Sequence, residues 1–177
     1  GAALLEAPYA LCYNRPDIGR GGHVFRRLFT AKPELLGKGF TLRLVASGQR
    51  DKESGIEAGF TFDIIPPDGR RSAGYVSVRL GESPELYYLG HIGYRVYEGY
   101  RGQGYAARAV GRLMPLMRGM GLNSIVITTD PDNMPSRKTC ENLGCVLERV
   151  AQVPPQYQPV CMMSKAKCRY ILILSGP

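Results

Sequence analysis

Apolar residues change their spacing once along the 177-residue chain, and that change limits the folds open to it. From Phe40 to Val96, apolar and polar residues alternate in four short runs: Phe40–Ala46, Ala58–Ile65, Ala73–Leu80 and Tyr88–Val96. Alternation turns one face of each run to a core and the other to water, so the runs predict strands. PPDGRR, between the second and third, has the proline and glycine of a tight reversal. QRDKESG and GESPE are polar or turn-rich links. Four strands on short connections predict an antiparallel meander.

After Gln103 the spacing becomes helical. Ala106, Ala109, Val110, Leu113, Leu116, Met117 and Met120 share one face of a helix over Gln103–Met120, which GMGL closes. Pro115 lies inside it and cannot donate to the carbonyl of Gly111, which predicts a bend. Ser124–Thr129 reads as a buried strand, and Pro135–Leu143 as a short helix stopped by Gly144. Val146–Val153 and Lys167–Leu174 are two last strands joined by the proline-rich PPQYQPV, while His23–Leu36 has weak helical spacing broken by Pro33. The order β-β-β-β-α-β-α-β-β predicts one α/β domain of the α+β kind. Its sheet is mixed and mostly antiparallel, with flanking helices; the core covers 40–174, and 1–39 form an N-terminal extension.

Composition narrows the function. A hydrophobic share of 44% excludes intrinsic disorder. No 18-residue apolar run exists, so no membrane span is expected. The start, GAALLEAPYALCYNRP, has no basic leader, which together with the cysteines predicts a cytoplasmic protein. Those cysteines (Cys12, Cys140, Cys145, Cys161 and Cys168) are odd in number and form no CxxC pair, and only His23 and His91 accompany them. Reduced thiols and no metal site are the expectation. The net charge of +8 is scattered along the chain, as on a solvated surface. It also suits a polyanionic ligand, and the absence of any nucleic-acid recognition motif favours a phosphate-bearing cofactor over nucleic acid.

One segment carries the chemistry: YRVYEGYRGQGYAARAV, a strand running through a glycine-bearing loop into an amphipathic helix. Gly102 and Gly104 let the backbone turn tightly and approach a ligand. The free N–H groups at the start of the helix, with its positive dipole end, then favour an anion, and Arg101 adds charge at the rim. Read as G-x-G-x-x-A, Gly102, Gly104 and Ala107 match a degenerate dinucleotide fingerprint, with Asp130 as ribose partner. YEGYR, however, separates Val96 from Gly102, whereas the fingerprint glycines follow their strand almost at once.

Read as R-x-x-G-x-A, RGQGYA (Arg101 to Ala106) resembles the acetyl-CoA signature of the GNAT acyltransferase superfamily, and PDNMPSRKTCENLGC resembles its later motif. The resemblance covers roughly residues 40–174 and implies an N-acetyltransferase. Such an enzyme moves an acetyl group from acetyl-CoA to a small-molecule or peptide amine by direct attack in a ternary complex, as a monomer or homodimer. A non-catalytic acyl-CoA-binding or sensor domain is the other reading. The resemblance implies that Tyr94, Arg95 and Val96 offer main-chain groups to pantetheine. It places pyrophosphate over Arg101, Gly102, Gln103, Gly104, Tyr105 and Ala106, and Asn133 against the cofactor arm.

The acceptor side departs from the family. Many members carry a tyrosine where this chain has Cys140. The pattern N-x-x-S without that tyrosine is similar to the ribosomal-protein N-terminal acetyltransferase branch, which implies Ser136 as proton donor; serine in a first helical turn also commonly serves its own backbone. Cys140 as a nucleophile is a further alternative, against simple packing of a neutral thiol. For the base, an ungapped count places Gly90 where relatives carry a glutamate. His91 beside it has a suitable ordinary pKa of about 6.5, provided that a bulge re-aims it. Hydrogen bonding within the sheet is the plainer role for His91, and Asp63, Glu85 and Glu98 remain alternatives.

Overall fold

The computed structural model describes residues 34–47, 51–52 and 55–174. Their strands form one eight-stranded sheet: β1 (Glu34–Gly37), β2 (Phe40–Ser47), β3 (Ala58–Ile65), β4 (Gly74–Leu80), β5 (Ile92–Val96), β6 (Ser124–Thr129), β7 (Val146–Gln152) and β8 (Ala166–Ile173). The order across the sheet is β1-β2-β3-β4-β5-β6-β8-β7. Every neighbouring pair is antiparallel except β5 and β6. Among the described residues three helices accompany the sheet: α1 (Pro84–Leu89), α2 (Tyr105–Gly119) and α3 (Met134–Asn142).

The expected meander is present, and most boundaries agree with the sequence reading within two residues. Two expectations are corrected. The end of the supposed His23–Leu36 helix is instead strand β1, which pairs Glu34 with Arg43 and Gly37 with Phe40; residues 23–33 lie outside the described part. The supposed strand Tyr88–Val96 begins only at Ile92, because Pro84–Leu89 is a helix. Ser83 caps it by accepting the Leu86 N–H at 2.9 Å, Pro84 opens the first turn and Glu85 follows. Those are helix-start signals inside a stretch that resembles a turn followed by a strand. Gly90, at φ +77°, ends the helix, and a Cβ there would lie 3.0 Å from the Val126 carbonyl oxygen.

The core lies between the sheet and α2. Phe60, Phe62, Ile64, Val76, Val78, Ile92, Ile125 and Ile127 meet Ala109, Val110, Leu113 and Met117 there. The helix runs unbroken through Pro115. On the opposite face of the sheet, Arg79 donates to the carbonyls of Leu89 (3.2 Å) and Gly90 (2.8 Å) at the end of α1. Arg169 bonds the Tyr87 carbonyl and lies 3.5 Å above the Tyr87 ring. Cations at a helix C-terminus are favoured by its dipole, so these two arginines hold α1 on the sheet.

Strands β5 and β6 touch through a single registered pair, Ile92 with Ile127. One residue earlier, the His91 N–H donates to the Val126 carbonyl at 2.8 Å, and the Val126 N–H donates to His91 Nδ1 at 3.0 Å. The imidazole thus stands in for a backbone acceptor at the point where the strands begin to part. His91 as a whole is 7% exposed. Burial, then the Arg169 and Arg79 charges, pull its pKa down to about 4, against a hydrogen bond that the ring donates to the Gly81 backbone.

Stability should follow that shift. Between pH 6.5 and 4 the unfolded chain takes up the His91 proton that the folded chain refuses, so the contribution is complete above pH 6.5 and lost as pH falls toward 4. The loss should reach on the order of 3 kcal/mol. Denaturant titrations at pH 7 and pH 4.5 on the wild type and His91→Gln should show a smaller drop in the variant. Equal drops would show that His91 is not held neutral.

Candidate active site

The splay of β5 from β6 opens a cleft of about 660 Å³. Antiparallel pairing alternates which residues bond their neighbour. The Arg79 N–H donates to the His91 carbonyl and the Tyr97 N–H to the Ala73 carbonyl. In that alternation the main-chain groups of Tyr94 and Val96 face away from β4, toward the gap. Arg101 Nε reaches the Val96 carbonyl there at 3.2 Å.

From Val96 the chain passes through a short 3-10 turn, Glu98–Tyr100, and the glycine loop into α2. Gly104 stands at the N-cap in the left-handed region (φ +71°, ψ 16°), and no side chain caps the helix. Its first N–H groups therefore remain available at the cleft wall. A Cβ on Gly102 or Gly104 would meet nothing within 4 Å, so glycine is required there by backbone conformation and not by crowding within the chain.

Nearly every residue expected to hold the cofactor comes together here. Tyr94, Arg95, Val96, Arg101, Gly102, Gly104, Tyr105, Ala106, Asn133 and Ser136 line the cleft. Gln103 does not; its carbonyl accepts from Arg108 at 3.2 Å. The Tyr105 ring turns inward against Phe40, at 6.3 Å. His91 lies outside the lining, as do Asp63, Glu85 and Glu98. Cys140 is fully buried (0% exposed), and a hydrogen bond from the Cys145 thiol holds its pKa below the ordinary thiol value despite burial.

The sequence reading missed Tyr100, Pro135, Lys138, Thr139 and Asn142. Four of these belong to α3, at spacings of three and four that put them on one helical face, a signal that was legible once Asn133 had been placed. Asn133 also has a local duty: its Oδ1 accepts the Ser136 N–H at 3.2 Å, capping α3. Arg95, Arg101 and Lys138 give the wall positive charge, and the lining contains no carboxylate or imidazole among the described residues. Uncapped helix N–H groups, three cations and a strand edge whose main-chain groups face the gap fit an elongated ligand that carries phosphates and amides.

Comparison with known proteins gives the same direction. A family model described as "Acetyltransferase (GNAT) domain" matches residues 32–146. Solved structures share the fold at low identity. The ribosomal-protein-S5-alanine acetyltransferase from Vibrio fischeri is 18% identical with a TM-score of 0.60, covering 82% of this chain and 100% of that one. A Vibrio cholerae protein assigned as a ribosomal-protein-serine acetyltransferase is 18% identical with a TM-score of 0.57, covering 82% and 99%. RimJ of Mycobacterium smegmatis, in complex with CoA-disulfide, is 22% identical with a TM-score of 0.52, covering 65% and 53%. No protein in the curated set matches the sequence.

The cap at Asn133 is testable by itself. Asn133→Ala should lower unfolding free energy by about 1 kcal/mol, whereas Asn133→Asp should keep most of it. Urea denaturation measures both, and equal losses in the two variants would show that Oδ1 does not cap α3.

Proposed function

Because the chain belongs to the GNAT acetyltransferase family, we propose that it transfers an acetyl group from acetyl-CoA directly to a primary amine, and that this amine is the α-amino group of a protein or peptide. The observation that carries the second half is the cleft wall, whose described residues offer no carboxylate or imidazole. An amine must be deprotonated to attack a thioester carbonyl. An α-amino group, with a pKa of about 7.7–8.0, is about one-third deprotonated at pH 7.5, whereas a lysine with a pKa of about 10.4 is deprotonated in about one molecule per thousand. A wall whose described residues carry no carboxylate or imidazole suits the acceptor that needs no base. The nearby charges of Arg95, Arg101 and Lys138 further disfavour an ammonium.

In this reading, the N–H groups opening α2 and the glycine loop hold the pyrophosphate of acetyl-CoA. The main-chain groups of Tyr94 and Val96 pair with its pantetheine amides and keep water from the thioester. A main-chain N–H in the gap faces the carbonyl oxygen as it gains charge. Asn133 holds the first turn of α3 so that Ser136 meets the cleft, where its hydroxyl faces the departing sulfur. His91 serves the strand junction and takes no proton from the acceptor; its pKa of about 4 makes it a weak base. The likeness to ribosomal-protein acetyltransferases supports a protein N-terminus as acceptor, and the family's chemistry disfavours a purely cofactor-binding role.

Release of CoA at pH 7.5 should therefore depend on the kind of amine. A peptide with a free N-terminus should outpace the same peptide with a blocked N-terminus and one lysine by about a hundredfold or more, and the lysine peptide should gain as pH rises toward 10. Equal rates for the two peptides at pH 7.5 would contradict the α-amino assignment.

A further inference from the structure

Within the cleft two hydroxyls meet across 42 residues of chain. The Tyr94 Oη on β5 lies 2.9 Å from the Ser136 Oγ in the first turn of α3, 3.3 Å from the Ser136 carbonyl and 3.9 Å from the Cys140 sulfur. A serine hydroxyl has one proton. If that proton goes to the phenol, Ser136 has none to offer a ligand. If the phenol proton goes to Ser136 Oγ, the serine proton is free to turn into the cleft. The 2.9 Å separation admits both arrangements, and the second is the one that leaves a serine O–H for a ligand. The Ser136 carbonyl, moreover, faces the N–H four residues on in the helix.

We propose that Tyr94 is the positioning residue for Ser136: its phenol donates to Ser136 Oγ, and this fixes the serine O–H as a hydrogen-bond donor toward the sulfur of CoA. The inference rests on the acetyltransferase reading above and adds to it a role for a side chain whose main chain alone that reading uses. When the thioester C–S bond breaks, its electron pair stays on sulfur, and the Ser136 O–H donates to the thiolate without giving up its proton. The thiolate later takes a proton from solvent, and the acetylated nitrogen returns one. Neither Tyr94 nor Ser136 ionises. Burial, followed by the charge of Cys140 beside it, pushes the Tyr94 phenol pKa up, so the group stays a donor through the working pH range. A chain of two hydroxyls ending on an anion is stronger than either bond alone, because each polarises the next.

A phenol that merely ties β5 to α3 would contribute to folding and leave the sulfur untouched. The thiol of bound CoA distinguishes these roles and needs no acceptor substrate. Its ionisation is followed by the ultraviolet absorbance of the thiolate, with CoA saturating the full chain as wild type, Tyr94→Phe, Ser136→Ala and the double variant. Arg95, Arg101 and Lys138 lower the thiol pKa in all four proteins alike, so differences among them report the hydroxyl pair. In the wild type the bound thiol should ionise about tenfold more readily than in Ser136→Ala, a shift of about one pKa unit, as expected for a hydrogen bond to a charged sulfur. Tyr94→Phe should lose most of that advantage while binding CoA within about twofold of the wild-type affinity. The double variant should match Ser136→Ala, because a residue that acts through Ser136 has nothing left to act on.

A wild-type thiol pKa in Tyr94→Phe overturns the inference. So does a further rise when Tyr94→Phe is added to Ser136→Ala. Failure of the wild type to bind CoA at all is a separate outcome, which removes the acetyltransferase reading and this inference with it.

Discussion

Strands β5 and β6 run parallel yet share one registered pair, and the rest of the molecule is arranged around that short contact. A ladder that stops so early leaves Tyr94 and Val96 with main-chain groups facing a gap, and unpaired polar groups at a protein surface seek water or a ligand. The contact is kept from unravelling by His91, whose ring accepts the Val126 N–H where the next ladder bond would be. From Val96 the chain turns at once through residues 97–104 into α2, whose first residues, Tyr105 and Ala106, line the cleft. Strand edge and helix terminus are thus brought to one place by a loop too short to separate them.

The far wall of the cleft depends on a second set of bonds. Asp130, just past β6, accepts from Lys167 at 2.6 Å and from Ser164 at 2.7 Å. Burial raises its carboxyl pKa, but these two partners outweigh that and hold it below the ordinary carboxylate value. The Asp130 carbonyl in turn accepts the Asn133 N–H at 3.0 Å, and Asn133 caps α3. Lys167 on β8 is nearly buried, so pairing it with Asp130 avoids an uncompensated charge in the sheet. The position of Ser136 is therefore fixed by a chain of contacts that begins on β8, outside the cleft.

What the sequence disclosed divides along the same physical line. The meander and α2 were legible because alternation and helical spacing are local and repeated, as in Phe60, Phe62 and Ile64 or in Ala109, Leu113 and Met117. The glycine loop was legible because Gly102 and Gly104 stand where a strand gives way to a helix. Helix α1 was missed although Ser83, Pro84 and Glu85 signal a helix start, because the apolar run YLGHIGYRV outweighed three capping residues. Strand β1 was missed because Pro33 and the weak spacing before it pointed to a broken helix. The role of His91 and the meeting of Tyr94 with Ser136 are tertiary. Each depends on a partner 35 or 42 residues away, and no local pattern encodes such a contact.

The acetyl-transfer role depends on where the cofactor lies. A crystal structure of the chain with CoA tests it most directly. It should place the pyrophosphate within hydrogen-bond distance of N–H groups between Gly102 and Ala106, with pantetheine amides paired to the main chain of Tyr94 or Val96 and the sulfur near Ser136 Oγ. Pyrophosphate bound elsewhere, with those N–H groups left to solvent, would contradict the claim that the gap between β5 and β6 is the acetyl-transfer site.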